Sequence, residues 1–131
     1  MINVHIHPHV TVRWRSFLWL LGFSNNCFFP FLIATALGAG VYFAVSVGYS
    51  INDTYSRPDA SKHKRMFLCK VLTGEYCNGN SLLKVPPPKP GAAGSHILYD
   101  TVTNDASNPI MFVIFHDSQA VPEYLVTFKK K

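Results

Sequence analysis

Three histidines near the N-terminus have a spacing that could allow them to bind a metal ion. His5, His7 and His9 alternate with other residues, so a strand would place all three on one face, where imidazole nitrogens could bind a metal ion. A polar N-terminal tail explains the same spacing without a ligand, and we favour that interpretation. We therefore predict no metal site.

The cysteines and a histidine–aspartate pair are weaker signals. Cys27, Cys69 and Cys77 make an odd number without the CxxC spacing of a zinc site, which favours reduced thiols and an intracellular compartment. His116 and Asp117 could form a general base, but they follow an apolar run, and we interpret them as polar residues at the end of a strand. The sequence has no P-loop, no dinucleotide-binding glycine fingerprint, no serine nucleophile elbow and no zincin helix.

Composition narrows the class of protein. The chain has 131 residues, of which 48% are apolar and 15% are charged, and its net charge is +5. This is enough apolar surface to build a core, which excludes a disordered chain. The twelve basic residues are spread thinly along the chain, so we predict no direct binding of nucleic acid.

An uncharged block from residue 16 to residue 52 raises the question of a membrane span. Residues 27–45 are nearly all apolar and have about the length of one bilayer span. They also contain Pro30, Gly38 and Gly40, and they end in an alternating stretch that is typical of a strand. A membrane-anchored protein is therefore an alternative that we do not favour.

After residue 34 the sequence is typical of short strands separated by turns. A loop is predicted at residues 52–60, and one helical turn can precede it. A second loop, proline-rich and extended, is predicted at residues 85–94. The pattern therefore predicts a mostly β domain with long connections. The predicted strands lie at residues 41–45, 65–72, 111–115 and 124–128.

Several strings in this region resemble one known family in their order and spacing. The chain resembles the C-terminal part of the catalytic domain of the poly(ADP-ribose) polymerase superfamily. It is most similar to the mono-ADP-ribosylating members that also carry macrodomains. The strings are GAGVYFAV at 38–45, YS at 49–50, DTYSRPD at 53–59, VLTG at 71–74, LYDTVT at 98–103, FVIFHD at 112–117 and QAVPEYLVTF at 119–128.

The resemblance implies an α+β, mostly β fold, the split β-sheet of the diphtheria-toxin-like ADP-ribosyltransferases. It also implies an enzyme that binds NAD as co-substrate and transfers ADP-ribose to a protein side chain, releasing nicotinamide. Cleavage of that glycosidic bond develops an oxocarbenium-like centre, so the protein must hold the nicotinamide ring and leave the anomeric carbon open. Protein substrates are the implied partners, and the nucleus or cytoplasm is the expected location.

The resemblance assigns roles to four residues in and around the first predicted strand, at residues 41–45. Tyr42 corresponds to the tyrosine of the family's catalytic triad, and Tyr55 to the tyrosine that stacks on nicotinamide. Ser50 corresponds to the serine that hydrogen-bonds the carboxamide. Gly40 is expected to let the backbone pass close to the ligand. Without the resemblance, ordinary core packing would be the favoured interpretation of both tyrosines.

The third triad position is occupied by Met111. Polymer-forming members have a glutamate there, and Glu123 at first resembles it, but Glu123 falls on the last strand rather than on the strand before it. A methionine cannot accept a proton or polarise an incoming hydroxyl group. The mono-ADP-ribosylating relatives carry isoleucine or leucine there. The resemblance therefore implies mono-ADP-ribosylation, with Met111 at the third catalytic position.

The first part of the chain departs from the family pattern. The family's His-Gly motif would fall near His9, but Val10 follows that histidine. We therefore predict an apolar leader of unassigned origin at residues 1–35 and the C-terminal part of a catalytic domain at residues 36–131. A fragment or a short isoform would explain this, and either could be catalytically inactive. An incomplete sheet would leave residues 111–115 without partner strands and would fold poorly.

Overall fold

The computed structural model describes residues 14–20, 36–90 and 97–129, the first range as backbone only. These ranges form seven strands and two short helices. Helix α1 spans Val47–Ser50, and a 3-10 helix spans Asp117–Gln119. The strands are β1 (Trp14–Leu20), β2 (Val41–Ala44), β3 (His63–Leu72), β4 (Tyr76–Asn78), β5 (Thr101–Thr103), β6 (Met111–Ile114) and β7 (Ala120–Lys129).

The seven strands form one sheet in the order β4-β5-β6-β2-β1-β3-β7. Every neighbouring pair is antiparallel except β4 and β5, which are parallel. Strand β6 lies between β5 and β2, so the expectation that residues 111–115 lack partner strands is wrong. The reason is that β5, only three residues long, supplies the second partner.

The backbone of β1 pairs with β2 on one side and with β3 on the other. Sequence patterns gave no strand there, because the aromatic and apolar residues of this stretch follow no clear period. The division of the chain at residue 35 stays a prediction.

The core lies on both faces of the central strands. In β2, Tyr42 faces Val113 of β6, and the next residue, Phe43, faces Phe112. Successive side chains of a strand point to opposite faces, so these two pairs belong to different faces of the sheet. Tyr42 packs with Val113 in one buried cluster, whereas Phe43 and Phe112 pack in the other.

Strand β7 begins earlier than the sequence predicted and contains a proline. Pro122 pairs with Cys69 where the register between β3 and β7 shifts. A proline cannot donate to the ladder, but an edge strand and an irregular register both tolerate it. The predicted strand at residues 124–128 leaves out the proline-containing stretch, which belongs to β7.

The described helices are short. The predicted helical turn before residue 52 is confirmed as α1, whose four residues follow the capping residue Ser46. None of the helices in the described ranges has the length and apolar character that a membrane span requires. The candidate membrane span covers residues 27–45. Its residues 27–35 lie outside the described ranges, and its residues 41–44 form β2.

Because β6 lies in the core, truncating one of its buried side chains should strongly lower the free energy of unfolding. Phe112 is fully buried and meets the ring of Tyr76 edge-on, with centroids 5.2 Å apart. Phe112→Ala is expected to lower the free energy of unfolding by about 3–5 kcal/mol, because it leaves a cavity. Denaturant unfolding measures this loss. The control Leu125→Ala, on β7 with 56% exposure, should change it by only about 0.5 kcal/mol. Equal losses would contradict the assignment of β6 to the core.

Candidate active site

Tyr42 is a buried residue of β2 whose hydroxyl group makes two backbone contacts. The hydroxyl donates to the carbonyl of Gly38 over 2.8 Å and accepts from the amide of Leu37 over 2.9 Å. Burial raises the pKa of the Tyr42 phenol, so it stays protonated over the ordinary pH range. A phenol oxygen has two lone pairs, and the described contacts use one of them.

Gly40 lies where the chain enters β2, against β6. A Cβ atom at this position would lie 2.6 Å from a methyl group of Val113 and closer still to the carbonyl oxygen of Ile114. Glycine is therefore required by the approach of the two strands. The predicted approach of its backbone to a ligand stays a prediction.

Ser50 is the last residue of α1 and has an unpaired side chain. It is 2% exposed, and its Oγ atom has no hydrogen-bond partner among the described residues. A buried hydroxyl group without a partner costs about 1–3 kcal/mol, so such an atom requires an explanation. A ligand that hydrogen-bonds Ser50 would remove this cost.

Tyr55 follows α1 and stacks on Tyr49. Their ring centroids lie 5.3 Å apart with an interplanar angle of 19°, and their hydroxyl oxygens are 3.2 Å apart. The hydrogen bond to Tyr49 and burial together raise the pKa of Tyr55 to about 12. Tyr49 covers one face of the Tyr55 ring, so a flat ligand would have to stack on the opposite face.

The segment between Ser50 and Tyr55 is held by residues that the sequence interpretation missed. Lys64 of β3 donates to the carbonyl of Ile51 over 2.6 Å and forms an ion pair with Asp53. Its side chain is only 1% exposed. Alternation with buried Met66 could have revealed that Lys64 points inward, but the predicted strand begins two residues after the observed start and so leaves Lys64 out.

Met111 lies near Tyr42 on the adjacent strand. It is opposite Ala44, while Tyr42 is opposite Val113, two residues further along β6. Residues two apart in a strand share a face, so Met111 and Tyr42 lie on the same face. Met111 also packs against the buried cluster that contains Tyr42. Its side chain offers only a thioether, which is a weak acceptor.

Other predicted candidates lie apart from these residues. His116 and Asp117 lie at the start of the 3-10 helix after β6, where the amide of His116 donates to the side chain of Gln119. The histidines before residue 10 lie outside the described ranges. Within the described part of the chain, no three His, Cys, Asp or Glu side chains cluster closely enough to hold a metal ion.

The fold and this group of residues define a class of protein. A model of the family described as "Poly(ADP-ribose) polymerase catalytic domain" matches residues 23–130, so this chain belongs to that family. The crystal structure of the PARP domain of Arabidopsis RADICAL-INDUCED CELL DEATH1 has the same fold, with a TM-score of 0.63 and 18% identity over 92% of this chain and 70% of that chain. The predicted α+β ADP-ribosyltransferase fold is thereby confirmed.

Individual relatives are named mono-ADP-ribosyltransferases. Human protein mono-ADP-ribosyltransferase PARP14 is 54% identical over 74% of this chain and 5% of its own length. Mouse PARP10 is 43% identical over 72% of this chain and 10% of its own length, and human PARP12 is 42% identical over 72% and 13%. This chain thus spans a small part of those proteins. Their names do not favour the alternative of an inactive protein.

The contact between Tyr49 and Tyr55 predicts an abnormal titration. The hydroxyl of Tyr55 should ionise near pH 12 in the folded protein, against an ordinary value of 10. A raised phenol pKa adds stability that is complete below pH 10 and is lost as the pH rises through about 12. Ultraviolet titration of tyrosinate measures this. Tyr49→Phe should move the late phase toward lower pH, and a titration that it leaves unchanged would contradict the contact.

Proposed function

We propose that this chain takes part in NAD-dependent mono-ADP-ribosyl transfer to protein side chains. The observation that carries the proposal is the buried, unpaired hydroxyl of Ser50, five residues before the stacked Tyr55. Nicotinamide needs two groups of this kind. An aromatic ring can hold its ring flat, and a hydroxyl group can hydrogen-bond its carboxamide. The names of the relatives support the same activity.

An aromatic ring and a buried hydroxyl group without a partner among the described residues suit NAD, which would supply the ADP-ribose group, with nicotinamide as the leaving group. The face of the Tyr55 ring opposite Tyr49 would hold the nicotinamide ring, and the Ser50 hydroxyl would bind its carboxamide. Tyr42 would keep its place by its bonds to Gly38 and Leu37, with one lone pair of its hydroxyl left for the ligand. Fixing the ring in this way positions the anomeric carbon for attack without further ordering at the moment of reaction.

Met111 supports transfer of a single ADP-ribose rather than a polymer. Chain growth requires a base or acceptor that activates a ribose hydroxyl group, and the Met111 thioether cannot do this. In the proposed reaction the carboxylate of the target protein acts as the nucleophile, so it needs no deprotonation at neutral pH. Extension of a polymer would instead need a ribose hydroxyl group as the nucleophile, and a hydroxyl group must lose its proton to react.

Ser50→Ala separates a ligand-binding role from a structural one. Removing an unpaired buried hydroxyl should leave the free energy of unfolding unchanged or higher, because no contact is lost. Affinity for nicotinamide should fall about 5- to 150-fold, the equivalent of about 1–3 kcal/mol. Calorimetric titration with nicotinamide and denaturant unfolding measure the two effects. Ser118→Ala, an exposed serine in the 3-10 helix, is the matched control. Unchanged affinity in Ser50→Ala would refute the carboxamide contact.

Labelled NAD tests the type of product. The purified chain and the longer protein that contains it should attach single ADP-ribose units to protein, visible as discrete labelled bands. Long, polydisperse polymer from either would contradict the interpretation of Met111. Transfer by the longer protein but not by the chain would assign the remaining requirements to residues outside this sequence.

A further inference from the structure

Lys64 is a buried cation that the proposed reaction does not use directly. Its side chain crosses from β3 to the segment after α1, where the ammonium group donates to the Ile51 carbonyl and pairs with Asp53. Asp53 itself is 57% exposed, so the pair runs from the protein interior to the surface. A buried lysine retains its charge at little cost only when such partners are present.

The partners of Lys64 lie between the two residues assigned to nicotinamide. Ile51 directly follows Ser50 and caps α1, with its amide donating to the Val47 carbonyl over 3.0 Å. Asp53 comes two residues before Tyr55. One ammonium group thus holds Ile51 and Asp53, the first and third of the four residues between Ser50 and Tyr55.

Other bonds of the stretch from Ile51 to Ser56 run both within it and to the sheet. The amides of Tyr55 and Ser56 donate to the Asn52 carbonyl over 3.0 and 2.9 Å, and these bonds stay within the segment. The Ser56 hydroxyl donates to the Arg65 carbonyl over 3.1 Å and ties the end of the segment to β3. Between Ser50 and Tyr55, Lys64 provides a direct tie to β3 through its contacts with Ile51 and Asp53.

We propose that Lys64 is a positioning residue, which sets the spacing between the Ser50 hydroxyl and the Tyr55 ring and thereby the affinity for nicotinamide. This inference rests on the proposed function for its ligand. Its structural content, that Lys64 orders the Tyr49–Tyr55 stack, can be measured without any ligand.

Lys64→Met tests the proposal against a matched control. Methionine fills similar volume but removes the charge and the donors. The dissociation constant for nicotinamide should rise about ten-fold or more in the full chain, measured by calorimetric titration. Lys70→Met is the control, since Lys70 lies on the same strand and pairs with Glu123 but is 46% exposed. It should change the constant less than about two-fold. Equal effects of the two variants, or no effect of Lys64→Met, would overturn the proposal.

Asp53→Asn provides a second route should Lys64→Met not fold. The exposed position of Asp53 makes this variant tolerable, and it should weaken nicotinamide binding in the same direction by about three-fold. When both single variants fold, the double variant Asp53→Asn with Lys64→Met should show less than the sum of the two free-energy effects, since they break one pair. An unchanged affinity in Asp53→Asn, or strictly additive effects, would count against the proposal.

Near-ultraviolet circular dichroism separates this proposal from the proposed function. The tyrosine signal should change in Lys64→Met, or in Asp53→Asn if that is the variant that folds, and stay constant in Lys70→Met, well below the melting temperature. Destabilisation alone would leave it constant in all three. If the unmodified chain fails to bind nicotinamide, the proposed function fails, and the signal alone decides the role of Lys64: a constant signal overturns it.

Discussion

The pairing of β2 with β6 is the constraint on which the candidate site depends. It places Tyr42 opposite Val113 and Met111 opposite Ala44, so the two residues assigned to catalysis share one face of the sheet. A slip of one residue would turn either strand over and place its side chain on the opposite face. The bare backbone of Gly40 allows the approach at the start of β2, because any side chain there would meet β6. The register of two four-residue strands thus determines which residues can act together.

The sequence predicts those strands and turns whose residue pattern is local. The apolar runs of β2 and β6 were long enough to predict, and the turn α1 followed from its position before a loop. Strands β4 and β5 were missed because three residues carry no period, and they exist through pairing with partners distant in sequence. The start of β7 was missed because a proline normally excludes a strand. These misses share one physical cause, since tertiary pairing overrides local propensity.

The site residues divide in a similar way. Tyr42, Ser50 and Tyr55 were assigned through the family resemblance, since nothing in their local pattern separates them from core residues. The structure adds what the resemblance could not: backbone groups bind the hydroxyl of Tyr42, whereas that of Ser50 has no partner among the described residues. The burial of Lys64 could not be predicted from its residue type, because lysine side chains are normally exposed. Only the carbonyl and carboxylate that meet it explain its burial.

The absence of charge between residues 16 and 52 suits the proposed reaction for an electrostatic reason. The nicotinamide ring of NAD carries a positive charge that disappears as the bond to ribose breaks. A carboxylate beside the ring would stabilise the charged ground state more than the transition state and would slow the reaction. In the proposed site, stacking on Tyr55 and a neutral hydrogen bond from Ser50 would hold the ring without that penalty. The cation that anchors this segment, Lys64, is paired with Asp53, so it adds little net field at the ring. The proposed arrangement, two neutral groups and an anchor whose charge is paired, would therefore bind the ring while leaving its departure favourable.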